Sequence, residues 1–396
     1  MSIERLISRN LDRQTAKSRA ARHVALIGTT LSFAIMVIAI ATQGGFSQTI
    51  EHRIQILLAD AHLVPRESWI GSNSTIEYDE EFSMAAQQTK GIDGVDAILD
   101  LPMVAHSPTG AVNGVLMHGV DPLTTTGLHE LITQGSPNAL QEEKTIIISK
   151  TLAQNLGRQV GQTIDIIALD EQMPRKTTLT IGAIYSSAMG ELEGPMVFCS
   201  IDYLRHFAGL DSTSITAYEI RGGGVDTEEF DELAAEYSLS VVTTQDRARE
   251  FFDWLAMLQA NVLLVLIIML AVALINVTSS ALIIILESTQ KIALLSALGV
   301  RKRSLQRIFL RRTMWIVTQG ALYGVAIGVV IVALENWLHI VKLNPDNYFV
   351  EWLPMHFATI EITSVVAIVF GVVALTVWAA THTVSRIEIA SGLKFE

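Results

Sequence analysis

Four apolar runs divide the chain, at residues 24–41, 258–286, 313–334 and 362–381. Each is long enough to cross a hydrocarbon core of roughly 30 Å as a helix. Between the first and second runs, short apolar stretches alternate with polar turns. The pattern predicts an α-helical membrane protein with four transmembrane helices plus a large extracytoplasmic α+β domain between helices 1 and 2. The expected segments are a cytoplasmic interfacial helix (1–22), the first transmembrane helix with the start of a stalk (23–46) and the extracytoplasmic domain (47–253). A stalk and second helix (254–286), a cytoplasmic loop (287–312) and a third helix (313–334) follow, then a second outer loop (335–361), a fourth helix (362–383) and a tail (384–396).

Inside 47–253 the periods alternate between two and about 3.6. Strands are expected at 61–65, 95–106, 114–120, 145–150, 160–167, 179–184, 196–199, 215–220 and 241–242. Helices are expected at 79–89, 151–157 with Gly157 as a stop, and 226–237, and a further one runs from Gln245 into the second span. Gly44 and Gly45 are expected to end the first membrane helix, with helical periodicity resuming through Ile50, Ile54 and Leu57. The second span carries Asn261, Asn276, Thr278, Ser279 and Ser280, which either hydrogen-bond neighbouring helices or line a cavity. In the third span Gly320, Gly324 and Gly328 form one flat strip for close helix packing, with a hinge as the second reading.

Charge orients this arrangement. The chain is half apolar with a mean hydropathy of +0.39, which suits a few spans plus a large soluble part. Residues 46–260 hold 31 acidic against 12 basic side chains, a net of −19 that leaves +7 elsewhere. An acidic soluble domain between basic segments argues against nucleic acid as a partner. Basic residues concentrate in 1–22 and 287–312, so both face the cytoplasm together with both termini. A charged start before an apolar run also fits a signal peptide, but Gln43-Gly-Gly-Phe46 does not resemble a cleavage site.

Catalytic chemistry finds little support. Cys199 is the single cysteine and excludes an intrachain disulfide. His62, His106, His118 and His206 are scattered without metal or triad spacing and read as structural. Glu77, Asp79, Glu80 and Glu81 read as a solvated helix start, and 222–224 as a loop. No G-x-x-x-x-G-K-[ST] occurs, so any ATP used with this chain is bound by another subunit.

The densest basic segment is 287–312. It carries Lys291, Arg301, Lys302, Arg303, Arg307, Arg311 and Arg312 against one acid, Glu287. Ile292, Leu294, Leu295 and Leu298 give a short helix an apolar side before Gly299 stops it. Such a helix either lies among lipid headgroups or docks into a soluble partner.

The run from Gln290 to Val300, QKIALLSALGV, resembles the coupling loop of FtsX/MacB/LolCE-type ABC permeases, although Ile292 follows Lys291 directly where that family has a Glu. Similar matches are Gly45-Phe46 at the end of the first span, Gly119-Val-Asp-Pro122, and the helix, Leu-Gly and Val-Gly pattern of 151–167. The outer loop 343–354 and the tail from Ser385 are also similar to the LolC/LolE kind, the tail without the usual Pro.

The resemblance implies a MacB-type periplasmic core domain and a non-enzymatic bacterial inner-membrane permease subunit. It implies no cofactor in this chain, with ATP and Mg bound by a partner ABC ATPase dimer. Further implied partners are a second permease subunit, membrane lipid, a lipoprotein substrate and a periplasmic lipoprotein chaperone. Glu287, Gln290, Lys291, Ile292, Leu294, Leu295, Leu298 and Gly299 would meet the ATPase, and Met36, Ile40, Phe46, Leu264 and Ile268 would line the substrate cavity. Two other readings stay open. One is a MacB/FtsX-like mechanotransmission permease driving efflux or regulating a periplasmic partner. The other is a membrane scaffold whose 287–312 loop binds only lipid.

Overall fold

A computed structural model describes residues 16–66, 75–108, 110–123, 127–168, 175–189, 194–287, 294, 298 and 300–382. The chain forms two compact units. One comprises 1–48, 255–342 and 352–396, the other 49–254 and 343–351.

The first unit is helical. Among the described residues four helices are long and apolar enough to cross a membrane: α1 (Ala16–Leu58), α8 (Arg249–Glu287), α9 (Lys302–Leu338) and α11 (Thr359–His382). Against expectation, Gly44 and Gly45 do not end α1, which is one helix of 43 residues. Glycine at 45 serves packing instead: a Cβ there would collide with the Pro354 carbonyl. The unit's core joins Phe33 and Met36 of α1 to Val277 of α8, Val317 and Ala321 of α9, and Val369, Val373 and Val377 of α11. Val37 and Ile40 pack with Ile362.

The second unit is α+β. Its strands are β1 (Ala61–Pro65), β2 (Ile76–Glu77), β3 (Gly94–His106), β4 (Val112–Val120), β5 (Ile132–Gly135) and β6 (Thr145–Ser149). The series continues with β7 (Thr163–Ala168), β8 (Arg175–Tyr185), β9 (Met196–Ser200), β10 (Ser214–Ile215), β11 (Ala217–Arg221) and β12 (Leu239–Thr243). The sheet order is β12-β1-β11-β3-β4-β9-β6-β8-β5, with β7 pairing both β3 and β8. The long strand β3 links two groups: Gly94–Ile98 pairs β11, and Leu99–His106 pairs β4.

Helices follow local signals. In α2 (Glu80–Gln88) the Asp79 carboxylate accepts from the amides of Glu81 and Phe82, so that acidic cluster is a cap. Helix α4 (Lys150–Leu156) is capped by the Ser149 hydroxyl and stopped by Gly157, whose φ of 61° favours glycine. Helix α6 (Glu228–Glu236) is capped by Thr227. A short α3 (Leu128–Leu131) and the unforeseen α5 (Ile201–Ala208) belong to the same unit. The turn α7 (Thr244–Arg247) precedes α8, and α10 (Pro345–Tyr348) lies between α9 and α11.

Candidate functional site

Three places carry the features expected of a working part. The first is the segment joining α8 to α9. Glu287 is the last residue of α8, while Gln290, Lys291, Ile292, Leu295 and Gly299 lie outside the described residues. Leu294 and Leu298 are described. The Leu298 amide donates to the Leu294 carbonyl at 3.1 Å, and both side chains are exposed, 59% and 73%. Helix α9 starts at Lys302, earlier than the apolar run. Arg303, Arg307 and Arg311, spaced by four, put three exposed guanidinium groups on one face of it. The segment therefore offers an apolar knob beside a cationic stripe.

The second place is the helical unit. Gly320, Gly324 and Gly328 all meet α1. A Cβ on Gly320 would lie 2.8 Å from the Thr29 Cβ, one on Gly324 2.5 Å from the Thr30 carbonyl oxygen, and one on Gly328 2.8 Å from the Val37 Cβ. At Gly28 of α1, an added Cβ would collide with the Asn276 carboxamide of α8.

The expected cavity residues differ in exposure. Met36, Ile40 and Phe46 are buried, whereas Leu264 and Ile268 are exposed on α8. Half of the apolar window of α1 is buried, against 11% for α8. One face of α8 runs Asn261, Leu264, Ile268, Val272, Ile275 and Ser279, all exposed. Its spacing of three and four residues makes it one continuous stripe. Exposed leucine and isoleucine suit lipid, but asparagine and serine at the ends of the stripe suit a protein or a wet cavity. Of the other polar residues of this span, Ser280 is buried and Asn276 and Thr278 are half-buried.

The third place lies in the sheet unit, where α1 ends and α8 begins. The Thr244 hydroxyl donates to the carbonyls of Leu58 and Ala59, at 3.3 and 2.8 Å, and satisfies the C-terminal end of α1. The Arg53 guanidinium donates to the carbonyls of Ser187 and Phe349, at 2.9 and 2.8 Å. The Phe349 ring meets Phe251 and Trp254 at the start of α8, with centroids 5.2 and 5.5 Å apart. Residues 343–351 thus belong to the sheet unit and fasten both long helices there.

Beneath that junction lies a buried charge network that sequence reasoning missed. His62 and Glu219 are cross-strand partners on β1 and β11, and Asp100 and His118 are partners on β3 and β4. His62 Nε2 lies 2.9 Å from Glu219 Oε1, and His118 Nδ1 lies 2.5 Å from Asp100 Oδ1. His118 Nε2 faces the same Glu219 oxygen at 3.5 Å. Arg247 of α7 donates to His62 Nε2 at 2.5 Å. Burial opposes charge on His118, but the Asp100 carboxylate outweighs it and raises the pKa. Burial likewise opposes charge on Glu219, yet the His62 hydrogen bond and the His118 charge hold its pKa down to about 2. Burial, joined by Arg247, lowers the pKa of His62. The available signal was the strand period. Glu219 sits between core residues Tyr218 and Ile220, and Asp100 between Leu99 and Leu101, so each faces away from the apolar cluster. His106 stays half-buried, 3.9 Å from Asp165, and His206 is exposed. Among the described residues no cluster of His, Cys, Asp or Glu could hold a metal ion.

Comparison with known proteins adds sequence kinship to this geometry. The MacB-like periplasmic core domain family matches residues 24–236, and the FtsX-like permease C-terminal family matches residues 263–389. The lipoprotein-releasing system transmembrane protein LolC of Xylella fastidiosa (strain 9a5c) is 22% identical, covering 94% of this chain and 93% of its own. LolC of Neisseria meningitidis serogroup B is also 22% identical, covering 94% of both. Among solved structures, the periplasmic region of MacB from Actinobacillus actinomycetemcomitans matches with a TM-score of 0.34 and 8% identity, over 50% of this chain and 95% of its own.

Proposed function

The chain belongs to the MacB-like periplasmic core domain family and carries an FtsX-like permease segment, and from that premise we propose that it is the membrane subunit of an ABC transporter that releases lipoproteins. It is a bacterial inner-membrane protein with a periplasmic domain, and a separate ATPase dimer supplies ATP hydrolysis with Mg. The observation that carries the lipoprotein reading is the near full-length kinship to relatives bearing the LolC name, 94% of this chain. Both termini and the 287–312 segment lie on the cytoplasmic side, where their basic residues favour them.

In the proposed cycle the ATPase seats on the segment around Leu294 and Leu298, with Ile292 and Leu295 adding apolar contacts. Glu287, Gln290, Lys291 and Gly299 flank it, and the stripe of Arg303, Arg307 and Arg311 faces headgroups or acidic side chains beside it. The acyl chains of the lipoprotein lie along Leu264 and Ile268, between this chain and a second permease subunit. Met36, Ile40 and Phe46 join the cavity when α1 parts from α8. The motion travels along α1 and α8, each continuous into the sheet unit, and the periplasmic domain hands the product to a soluble chaperone.

The test is reconstitution in liposomes with the cognate ATPase and a triacylated lipoprotein. ATP should transfer the lipoprotein to a soluble periplasmic acceptor. Leu295→Arg should insert and fold but lose that transfer. ATP turnover by the native complex without transfer would overturn the lipoprotein reading in favour of mechanotransmission, and failure of any ATPase to bind would leave the scaffold reading.

A further inference from the structure

We propose that His62 and Arg247 form a proton-sensitive latch at the start of α8: neutral His62 holds the Arg247 guanidinium against the sheet, and protonated His62 expels it. The latch stands on the geometry of the sheet unit alone, and only its consequence for transport rests on the permease reading.

His62 Nε2 faces two groups with opposite needs. Arg247 only donates, so it requires a bare nitrogen lone pair at 2.5 Å. The Glu219 carboxylate only accepts, so it is satisfied by a proton on the same nitrogen at 2.9 Å. One atom cannot do both. With the proton on Nδ1, Nε2 accepts from Arg247, Glu219 gives up its hydrogen bond with His62 and sits 2.9 Å from the bare nitrogen, and the imidazolium of His118 at 3.5 Å is the partner it keeps. With both nitrogens protonated, His62 binds Glu219 and sets a second cation against the guanidinium. His62 and Glu219 are 4% and 5% exposed, so that repulsion is poorly screened.

The charged groups facing this point are Glu219 and, beyond it, Arg221 on β11, Asp100 and Asp96 on β3, His118 on β4, and Arg247 on α7. With His62 neutral and His118 charged, the four innermost charges balance: Arg247 and His118 against Asp100 and Glu219. A proton on His62 breaks that balance. The lowered pKa of His62 agrees with the neutral form being native near pH 7.

Two further features complete a two-position device. A cavity of about 20 Å³, to which Asp96, His118, Asp121, Glu219 and Arg221 present polar groups among apolar neighbours, adjoins the network. It has room for about one water, a path for the proton. Arg247 also lines a cleft of about 560 Å³ together with Asp246, Glu250, Asp253 and Arg249, the last lying 4.0 Å from Asp253. Those carboxylates offer the expelled guanidinium a second set of acceptors. Because Arg247 lies two residues before Arg249, where α8 begins, its position sets how firmly the first turn of that helix is held.

The sign of the pH dependence follows. A histidine with a lowered folded pKa contributes stability that is present above its unfolded value near 6.5 and is lost as pH falls. His118, with a raised pKa, has the opposite sign and acts on the alkaline side.

The experiment is hydrogen exchange of the full chain in lipid nanodiscs, comparing wild type with His62→Gln at each pH so that the intrinsic chemical rate cancels. Glutamine can accept from Arg247 and donate to Glu219 without titrating. At pH 7.5 the amides of residues 248–254 should exchange equally in both proteins. At pH 5 the wild type should exchange at least about fivefold faster than His62→Gln there, equivalent to about 1 kcal/mol of local opening. Arg247→Met should exchange fast at both pH values. Equal exchange of wild type and His62→Gln at pH 5, or full protection of 248–254 in Arg247→Met, would overturn the latch. The readout needs no substrate, so it is separable from failure of the lipoprotein reading.

Discussion

The first and second spans have similar length and hydropathy but opposite surroundings. Half of the apolar stretch of α1 is buried within its own chain, gripped by the glycines of α9 along Thr29, Thr30 and Val37, whereas only 11% of that of α8 is buried. Their ends in the sheet unit differ as well. Arg53 of α1 is held by two carbonyl hydrogen bonds, while the start of α8 leans on ring contacts of Phe251 and Trp254 with Phe349. Hydropathy alone treats such helices as equivalent. The difference lies in residue size: glycine on the neighbour lets backbones meet, and lipid gives leucine no reason to seek a partner. Helix α1 is therefore the anchored element, and α8 the one that presents its face to something outside the chain.

That contrast can be broken first at the anchor. Gly324→Val places a side chain against the Thr30 backbone, which has no rotamer to yield. It should cost about 3 kcal/mol, the upper end for overpacking, and appear as a large loss of thermal stability in detergent. Full stability would mean that α1 is not gripped there. Next is Arg53→Met, which removes two charge-assisted hydrogen bonds and should destabilise the sheet unit by about 2 kcal/mol while preserving the helical unit. Limited proteolysis separates the two units, and loss of both together would contradict the assignment of Arg53. The smallest stability effect is expected on the free face. Ile268→Trp should change unfolding by less than about 0.5 kcal/mol, yet reduce lipoprotein transfer about tenfold, or about 1.4 kcal/mol. A stability loss as large as that of Gly324→Val would show that the α8 face is internal.

Much of the fold was legible because its signals are local. Helix α2 starts beside Asp79 as expected, Gly157 stops α4 in the left-handed conformation, and nearly every expected strand forms. Gly44 and Gly45 misled because glycine inside a helix reads as a stop, while here it makes room for the Pro354 carbonyl more than three hundred residues away. The helix Ile201–Ala208 escaped notice because a strand, Met196–Ser200, runs into it without a turn. The buried network was illegible for a similar reason. His62 and Glu219 meet only through the register of β1 on β11, and nothing near either residue names the other. Within the candidate cavity, apolar periodicity placed Met36, Ile40, Leu264 and Ile268 on membrane helices. It could not say which face the chain itself would cover. Of the eight expected ATPase-contact residues, only Leu294 and Leu298 fall among the described side chains, and both are exposed.

The most direct measurement is photo-crosslinking in the reconstituted transporter, with a photoreactive residue at Ile268, Leu264 or Met36 in turn. The free-face reading predicts that Ile268 and Leu264 capture the lipoprotein before ATP is added and lose it afterwards, while Met36 captures it weakly or only during turnover. Capture from Met36 at rest, with none from Ile268 or Leu264, would contradict it.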